Sequence, residues 1–157
     1  MPRRALTVSE LTAACKPPDE ETQSLWLRRV RDYSNVGILR ATRQHEGTGR
    51  HRLYGPDVIY ATAVLLRLAD LGIPIGNLRN LARLINAPRR TKAELEFQRF
   101  WREAKTLVNP LDAYLAIKPE RGDPGKTFYR QSWGAMTVDD TAWAVLNLSY
   151  LFRKLAE

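Results

Sequence analysis

Apolar residues recur at helical spacing through the first part of the chain. A short helix is predicted over residues 6–14, with Ser9 as its expected N-cap. A second helix is predicted to begin at the acidic residues 19–21, whose charges complement the helix dipole, and to end before Gly37. Two short helices joined by a turn are typical of a helix-turn-helix.

The pattern changes after this second helix. Residues 38–40 are short and extended, residues 46–49 are typical of a turn, and residues 50–54 alternate as a strand does. Together they predict a two-stranded hairpin, or wing, with arginines near its tip. An apolar core helix is predicted over 58–70. A fourth helix follows, with one buried face made of Leu78, Leu81, Ala82 and Ile85.

The last third of the chain predicts a helix, a hairpin and another helix. Thr91 and Glu94 have the spacing of a capping box, which opens a helix that runs to about Lys105. Residues 114–118 and 127–131 are strand-like and flank a turn rich in Gly and Pro. A final helix is predicted from Thr137 and Asp140 to about residue 155. Its apolar residues recur at intervals of three and four, as in a seam between packed helices: Val138, Thr141, Val145, Leu148, Phe152 and Leu155.

This seam predicts a homodimer formed through Val145, Leu148 and Phe152. Trp143, Leu146 and Tyr150 form a second apolar line, so one line can cover the hairpin while the other meets a partner. A wholly internal core is the alternative. The four tryptophans are scattered, which favours core or interface packing over stacking on unpaired bases.

Charge is concentrated in one segment. The chain has a net charge of +8 and 19 arginines among its 25 basic residues. Residues 1–87 hold 13 basic and 8 acidic residues. Seven of these basic residues, all of them arginine, and only two of the acidic residues lie between Arg28 and Arg52. Arginine suits planar contacts to phosphates and bases, and such contacts release counterions. The segment therefore favours a polyanion such as double-stranded DNA, although a solvated basic surface would have the same composition.

Other functions have little support in the sequence. Cys15 is the single cysteine, and His45 and His51 lack partners at metal-ligand spacing, so we expect no metal, no cofactor and no disulfide. No catalytic set is present, because Asp139 and Asp140 are better explained as helix-start acids, and we expect no enzyme activity. Neither a signal peptide nor an 18-residue apolar run occurs, so we expect a cytoplasmic protein with no membrane contact, associated with the nucleoid when it is bound to DNA.

Three groups of residues form an ordered set of motifs: an arginine and tyrosine before a glycine and two aliphatics, an arginine-rich wing that ends in tyrosine, and a leucine-glycine segment after an apolar helix. In this sequence they are Arg31, Tyr33, Gly37, Ile38 and Leu39, then Arg43 and residues 49–54, and then Asp57, Val58 and residues 66–73. With these motifs in this order, residues 6–86 resemble the MerR-type winged helix-turn-helix regulators. The chain departs from the family in a longer connection between Leu11 and Arg31, and in the helix-hairpin-helix pattern after residue 90.

The resemblance implies a fold that is mainly α with small β-hairpins, with a winged helix-turn-helix domain over 1–87 and a dimerisation or partner-binding region over 88–157. It places the second helix in the major groove, where Arg28, Arg29 and Arg31 would meet bases and phosphates. Arg50 and Arg52 share one side of the wing strand and suit phosphate or minor-groove contact. The family pattern further implies that Arg43 contacts DNA and that the hydroxyls of Tyr33 and Tyr54 contact phosphates. Core packing of these two tyrosines, with a solvated hydroxyl, is the alternative.

The sequence therefore predicts a sequence-specific, dimeric DNA-binding transcriptional regulator of the bacterial type. Two such domains on a two-fold axis would suit a palindromic or direct-repeat site. RNA polymerase or another regulator is a further candidate partner. Two alternatives remain open: an excisionase-like recombination directionality factor, which would bind at attachment sites, and a winged-helix adaptor that binds protein instead of DNA.

Overall fold

A computed structural model of the protein describes residues 4–44, 52–106, 113–117, 127–131 and 144–157. This part of the chain is mainly helical, as predicted, and contains six helices and two small sheets. In chain order the elements are α1 (Val8–Ala14), α2 (Glu20–Asn35), β1 (Arg43–Gln44), β2 (Arg52–Leu53), α3 (Val58–Asp70), α4 (Ile75–Ile85), α5 (Lys92–Thr106), β3 (Ala113–Ile117), β4 (Thr127–Gln131), β5 (Ala144–Asn147) and α6 (Leu148–Ala156).

The chain divides into two compact units, unit 1 at Met1–Leu66 and unit 2 at Arg67–Glu157. The division falls inside α3, so α4 is grouped with the C-terminal elements. The sequence placed a domain boundary between residues 87 and 88 instead, and that boundary stays a prediction.

The first helix of unit 1 has its N-cap two residues earlier than the sequence suggested. Thr7, and not Ser9, is the N-cap: the Glu10 N–H donates to Thr7 Oγ1 at 3.3 Å, and the Thr7 N–H donates to Glu10 Oε2 at 2.8 Å. This reciprocal pair is a capping box, which satisfies two backbone donors that a free helix end leaves unpaired. The expected cap at Ser9 is wrong because the glutamate that completes the box lies three residues after Thr7.

The predicted hairpin of unit 1 is present, but its first strand lies later in the chain. β1 pairs antiparallel with β2, with Arg43 opposite Leu53 and Gln44 opposite Arg52. The residues expected to form that strand, 38–40, do not form one: Ile38 and Leu39 lie in a bend and are buried. Their backbone N–H groups donate to the Tyr33 carbonyl at the end of α2 and do not pair with a strand. The predicted turn at 46–49 lies outside the described residues.

The core of unit 1 joins its helices to the start and end of the hairpin. Trp26 and Val30 on α2 are fully buried, as is Leu11 on α1. Leu6 and Tyr54 form an isolated antiparallel bridge, with N–H to O distances of 2.8 and 2.9 Å in the two directions. The chain before α1 and the chain after β2 are therefore held together by backbone hydrogen bonds.

In unit 2, α4 and α5 are joined by a side chain that caps a helix. The predicted capping box at Thr91 and Glu94 is confirmed, with distances of 3.2 Å in both directions. Gln98 Nε2 donates to the carbonyls of Leu84 and Ile85 at 2.5 and 2.6 Å. Carbonyls in the last turn of a helix have no partner within the helix, so this amide of α5 stabilises the end of α4.

The sheet of unit 2 has three antiparallel strands in the order β4-β3-β5. The predicted hairpin of β3 and β4 is confirmed, whereas the single long helix predicted from Thr137 to 155 is wrong. Residues 144–147 form β5, and α6 begins only after Asn147, whose side chain accepts from the Tyr150 N–H at 2.8 Å. The apolar residues are spaced three and four apart across the junction between β5 and α6, and this spacing matched that of a continuous helical seam by coincidence. Thr137, Val138, Asp140 and Thr141 lie outside the described residues.

Aromatic side chains form the core of unit 2. Phe97 and Trp101 stack with centroids 6.2 Å apart, and Trp101 meets the ring of Phe152 edge-on at 5.3 Å. Leu148, which lies four residues before Phe152 in α6, is also fully buried. The Ala113 N–H donates to Ser149 Oγ at 2.8 Å, which joins β3 to α6. The expected core role of the tryptophans is confirmed for Trp26 and Trp101, while Trp133 and Trp143 lie outside the described residues.

Candidate nucleic-acid interface

Helix α2 turns one face to the core and the opposite face to solvent. Asp19 caps its start by accepting the Thr22 N–H at 2.7 Å, and this hydrogen bond lowers the pKa of Asp19. Trp26 and Val30 are buried on the inner face. At 100° per residue, Arg28 lies almost opposite these two residues, and it is exposed.

Two of the three arginines predicted to meet DNA from α2 face outward. Arg28 and Arg31, three residues apart, are both exposed and form no ion pair with any residue that the structure describes. Arg29 lies at the side of the helix, is half-buried, and has an interaction within the protein. The side chains of Arg28 and Arg31 are therefore open to a partner.

The end of α2 contacts the hairpin through a polar pair. Asn35 is the last residue of the helix and is exposed. It lies on the same face as Arg28, which precedes it by seven residues, or about two turns. Arg52 Nη1 on β2 donates to Asn35 Oδ1 at 3.1 Å. We call Arg28, Arg31, Asn35 and Arg52 the α2–hairpin surface, because this hydrogen bond makes the helix face and the strand one continuous polar surface.

Several contacts fix the hairpin at its base. The Thr42 N–H donates to the Leu53 carbonyl at 2.8 Å, and Thr42 Oγ1 accepts the Gly55 N–H at 2.8 Å. Arg43 lies in β1, directly opposite Leu53, and Arg50 lies outside the described residues. The position of Arg52 is therefore set by the strand pairing, and its guanidinium is oriented by Asn35.

The two tyrosines predicted to contact phosphate lie in the core. Tyr54 is fully buried, and its hydroxyl donates to Ser34 Oγ at 2.5 Å, while Ser34 Oγ donates to the Val30 carbonyl at 2.7 Å. Tyr33 is 5% exposed, and its carbonyl accepts the N–H groups of Ile38 and Leu39 at the end of α2. The expected phosphate contact is wrong for Tyr54, because a buried tyrosine hydroxyl takes a hydrogen-bond partner inside the protein. Tyr33 is likewise placed as a packing residue.

The structure also adds a residue that the sequence analysis did not select. Arg40 is exposed between α2 and β1 and forms no ion pair among the described residues. It follows the buried pair Ile38 and Leu39, so the core fixes the backbone on one side of it. A single arginine after two aliphatic residues gives no periodic pattern, so the sequence did not indicate that Arg40 is exposed.

Acidic residues occupy the other end of α2. Asp19, Glu20 and Glu21 are exposed at the helix start, in the connection that is longer than in the family that residues 6–86 resemble. Glu21 lies seven residues before Arg28, which corresponds to about 10 Å along the helix. This separation is about one Debye length at physiological salt, so the acids weaken the field of the arginines only in part. The C-terminal half of α2 carries one exposed acid, Asp32, against three at the helix start. A polyanion would therefore meet the C-terminal half with less repulsion than the start.

The residues predicted to form a dimer seam do not share one exposed face. Leu148 and Phe152 are fully buried within unit 2, and Val145 lies in β5, half-buried. Leu148 and Phe152 are therefore core residues of the protomer, which corrects the expected role of these two side chains. Tyr150, from the second apolar line, is 62% exposed.

The described residues contain no group of three or more histidine, cysteine and acidic side chains that could hold a metal ion. None of their helices is long and apolar enough to cross a membrane. Cys15 is buried and its Sγ lies 3.8 Å from the Ile59 carbonyl oxygen, which it contacts as a weak donor.

Comparisons with known proteins found no matching family model, no matching curated protein and no matching solved structure.

Proposed function

We propose that unit 1 binds double-stranded DNA in a sequence-specific manner and that the protein is a transcriptional regulator. The observation that carries this proposal is the α2–hairpin surface. It brings two outward arginines of α2 together with Arg52 of the hairpin, which Asn35 orients at 3.1 Å. Helix α2 would lie in the major groove, and the hairpin would hold the phosphate backbone.

Arginine chemistry supports distinct roles within this surface. Arg28 and Arg31 are three residues apart on the exposed face, so both can reach one groove. A guanidinium can donate two hydrogen bonds to O6 and N7 of guanine, and such a pair contributes about 1–3 kcal/mol of discrimination between bases. Arg52 is tied to the protein by one nitrogen and keeps other donors for phosphate oxygens. We assign base contact to Arg28 or Arg31 and backbone contact to Arg52 and Arg40.

We further propose that the regulator is a homodimer on a two-fold axis. Leu148 and Phe152 are buried in the protomer, so the contact would use Tyr150 and the outer edge of β5, which is the last strand in the sheet order. Strand edges carry backbone groups that pair readily with a second copy. A dimer of this kind would require two half-sites in the DNA.

The proposal is tested by selecting binding sites from random duplex DNA with the full chain. The selected site is then used to compare wild type with Arg28→Ala and Arg31→Ala. At least one variant should bind about 5–150-fold more weakly and lose its preference at one base position, which is the effect of removing one bidentate contact. Arg102→Ala, which removes an exposed arginine from α5, is the matched control.

One observation favours a second candidate, the protein-binding adaptor. The start of α2 is acidic and is flanked by Leu25, which is 43% exposed, and these features suit a basic protein better than they suit DNA. If the selection recovers no duplex and wild type shows no shift with any DNA, the adaptor replaces the regulator.

A further inference from the structure

A second arginine-rich stretch lies in unit 2, later in the chain than the residues used above. From Leu71 to Ala93 the chain contains five basic residues and no acidic residue. These residues belong to α4 and to the connection between α4 and α5, and they are Arg79, Arg83, Arg89, Arg90 and Lys92. Lys92 pairs with Glu96 at 3.9 Å, and the four arginines form no ion pair among the described residues.

Helix α4 presents two of these arginines on one exposed face. Arg79 and Arg83 are four residues apart, so their side chains are neighbours, while Leu78 and Leu81 fill the buried face. Like charges at this spacing destabilise a helix, and no acidic residue of α4 offsets the repulsion. Arg83 is favoured by its place in the last turn of α4, whereas Arg79 lies earlier in the helix. Two unpaired guanidinium groups thus lie side by side on an exposed face, which suits an anionic partner.

The connection after α4 carries a further arginine in an unusual backbone conformation. Arg89 has φ of 59°, in the left-handed region where glycine is normally preferred. An arginine in this region is strained, and strained backbone of this kind clusters at functional sites. Glycine would relieve the strain but would remove the guanidinium. The neighbouring Arg90 is exposed, and its N–H donates to Glu94 Oε2 at 2.7 Å, at the start of α5.

The connection is held firmly at both ends. Gln98 binds the last carbonyls of α4, and the capping box of Thr91 and Glu94 fixes the start of α5. Arg83 on one side and Arg89 and Arg90 on the other are therefore presented by backbone that loses little freedom when a partner binds. Contacts from such a prearranged surface cost less entropy than contacts from a mobile tail.

We propose that Arg79, Arg83, Arg89 and Arg90, the α4–α5 arginine surface, bind the phosphate backbone of duplex nucleic acid. All four are arginines, whose planar donors match phosphate oxygens. A membrane surface fits less well, because the apolar face of α4 is buried and is not free to enter lipid. No base-reading role is assigned, so this surface adds affinity without sequence preference.

This inference concerns a surface in the other compact unit and goes beyond the proposed function. It holds whether or not the α2–hairpin surface reads a sequence. The two ideas also fail separately, because loss of base reading changes the preference between duplexes, whereas loss of phosphate contacts weakens binding to every duplex alike.

The test uses the full chain with Arg83→Ala and Arg89→Gly combined, and measures binding to a scrambled duplex over a range of salt concentrations. Removal of two phosphate contacts should make the slope of log K against log salt shallower by about 2. Binding should weaken by the same factor for a scrambled and for a selected duplex. The urea midpoint should stay at or above that of wild type, because glycine suits the backbone of residue 89.

Arg102→Glu is the matched control, since it changes the net charge by the same amount on an exposed face of α5. Arg83→Ala alone repeats the test with half the change in slope, should the double variant fold poorly. The proposal is overturned if the double variant and the control show the same slope and affinity. It is also overturned if the double variant loses binding to anionic phospholipid vesicles while its binding to duplex DNA is unchanged.

Discussion

Arg52 on β2 donates a hydrogen bond to Asn35 at the end of α2, with 3.1 Å between Nη1 and Oδ1. The two residues are 17 positions apart in the chain, and one belongs to the helix while the other belongs to the hairpin. Asn35 also lies two turns after Arg28 on the exposed face. The pair therefore determines how the guanidinium of the hairpin is oriented with respect to the arginines of the helix.

Replacing Asn35 with Ala should weaken DNA binding without unfolding the protein. The variant removes the acceptor that orients Arg52, and a hydrogen bond of this kind contributes about 0.5–1.5 kcal/mol, so we expect a loss of about 2–10-fold in affinity. Fluorescence anisotropy with the selected duplex measures the loss. Asn35→Asp keeps an acceptor for Arg52 but adds a negative charge beside the phosphates, so it should weaken binding further. Tighter binding by Asn35→Asp would show that DNA does not approach this surface.

Tyr54→Phe should lower stability and leave DNA affinity unchanged. The tyrosine hydroxyl lies in the core and donates to Ser34 Oγ, so its removal should lower the free energy of unfolding by about 1 kcal/mol. Urea denaturation gives the stability, and anisotropy gives the affinity at a temperature where both proteins are folded. A variant of full stability that binds DNA less tightly would return Tyr54 to the phosphate-contacting role implied by the family resemblance.

The start of α2 should make the protein less stable in acid. The backbone N–H of Thr22 is the first cause of the lowered pKa of Asp19, followed by the Thr22 side chain. A carboxylate whose pKa is lowered on folding contributes stability above its unfolded pKa, about 4, and this contribution is lost as the pH falls through the lowered folded value. Asp19→Asn keeps an N-cap but cannot titrate, so its urea midpoint should fall less with acid than that of wild type.

Glu20→Gln is the control for this experiment. It removes a neighbouring exposed carboxylate that accepts no hydrogen bond within the described part of α2. Its urea midpoint should follow the pH in the same way as wild type. An equally steep acid dependence in wild type and Asp19→Asn would show that Asp19 does not contribute through its cap.

Features that nearby residues determine were predictable from the sequence. Local signals were sufficient for α2, α3 and the capping box of α5, because caps, acids in a first turn and a terminal glycine act within a few residues. Gly37, with φ of 73°, ends α2 as its residue type suggests. The exposed positions of Arg28 and Arg31 also followed from helical periodicity once the buried face was known.

Features that depend on distant contacts were not predictable from local pattern. Tyr54 is aromatic and precedes a glycine, as a surface residue of a hairpin would, yet Ser34 of α2 supplies a buried partner for its hydroxyl. Residues 144–147 have apolar spacing compatible with a helix, but pairing with β3 makes them a strand. In both cases the local sequence pattern is compatible with two structures, and a tertiary contact decides between them.

The oligomeric state is tested by two substitutions on α6 that should act differently. Phe152 is fully buried against Trp101, so Phe152→Ala should lower the free energy of unfolding by about 3–5 kcal/mol whatever the protein concentration. Tyr150 is 62% exposed, so Tyr150→Glu should leave the protomer stable but convert a dimer to a monomer in light scattering at micromolar concentration. The charge would then be buried without a partner at the two-fold contact, which opposes association. If wild type is itself monomeric both alone and on DNA, or if Tyr150→Glu stays dimeric, the contact through Tyr150 and β5 is wrong.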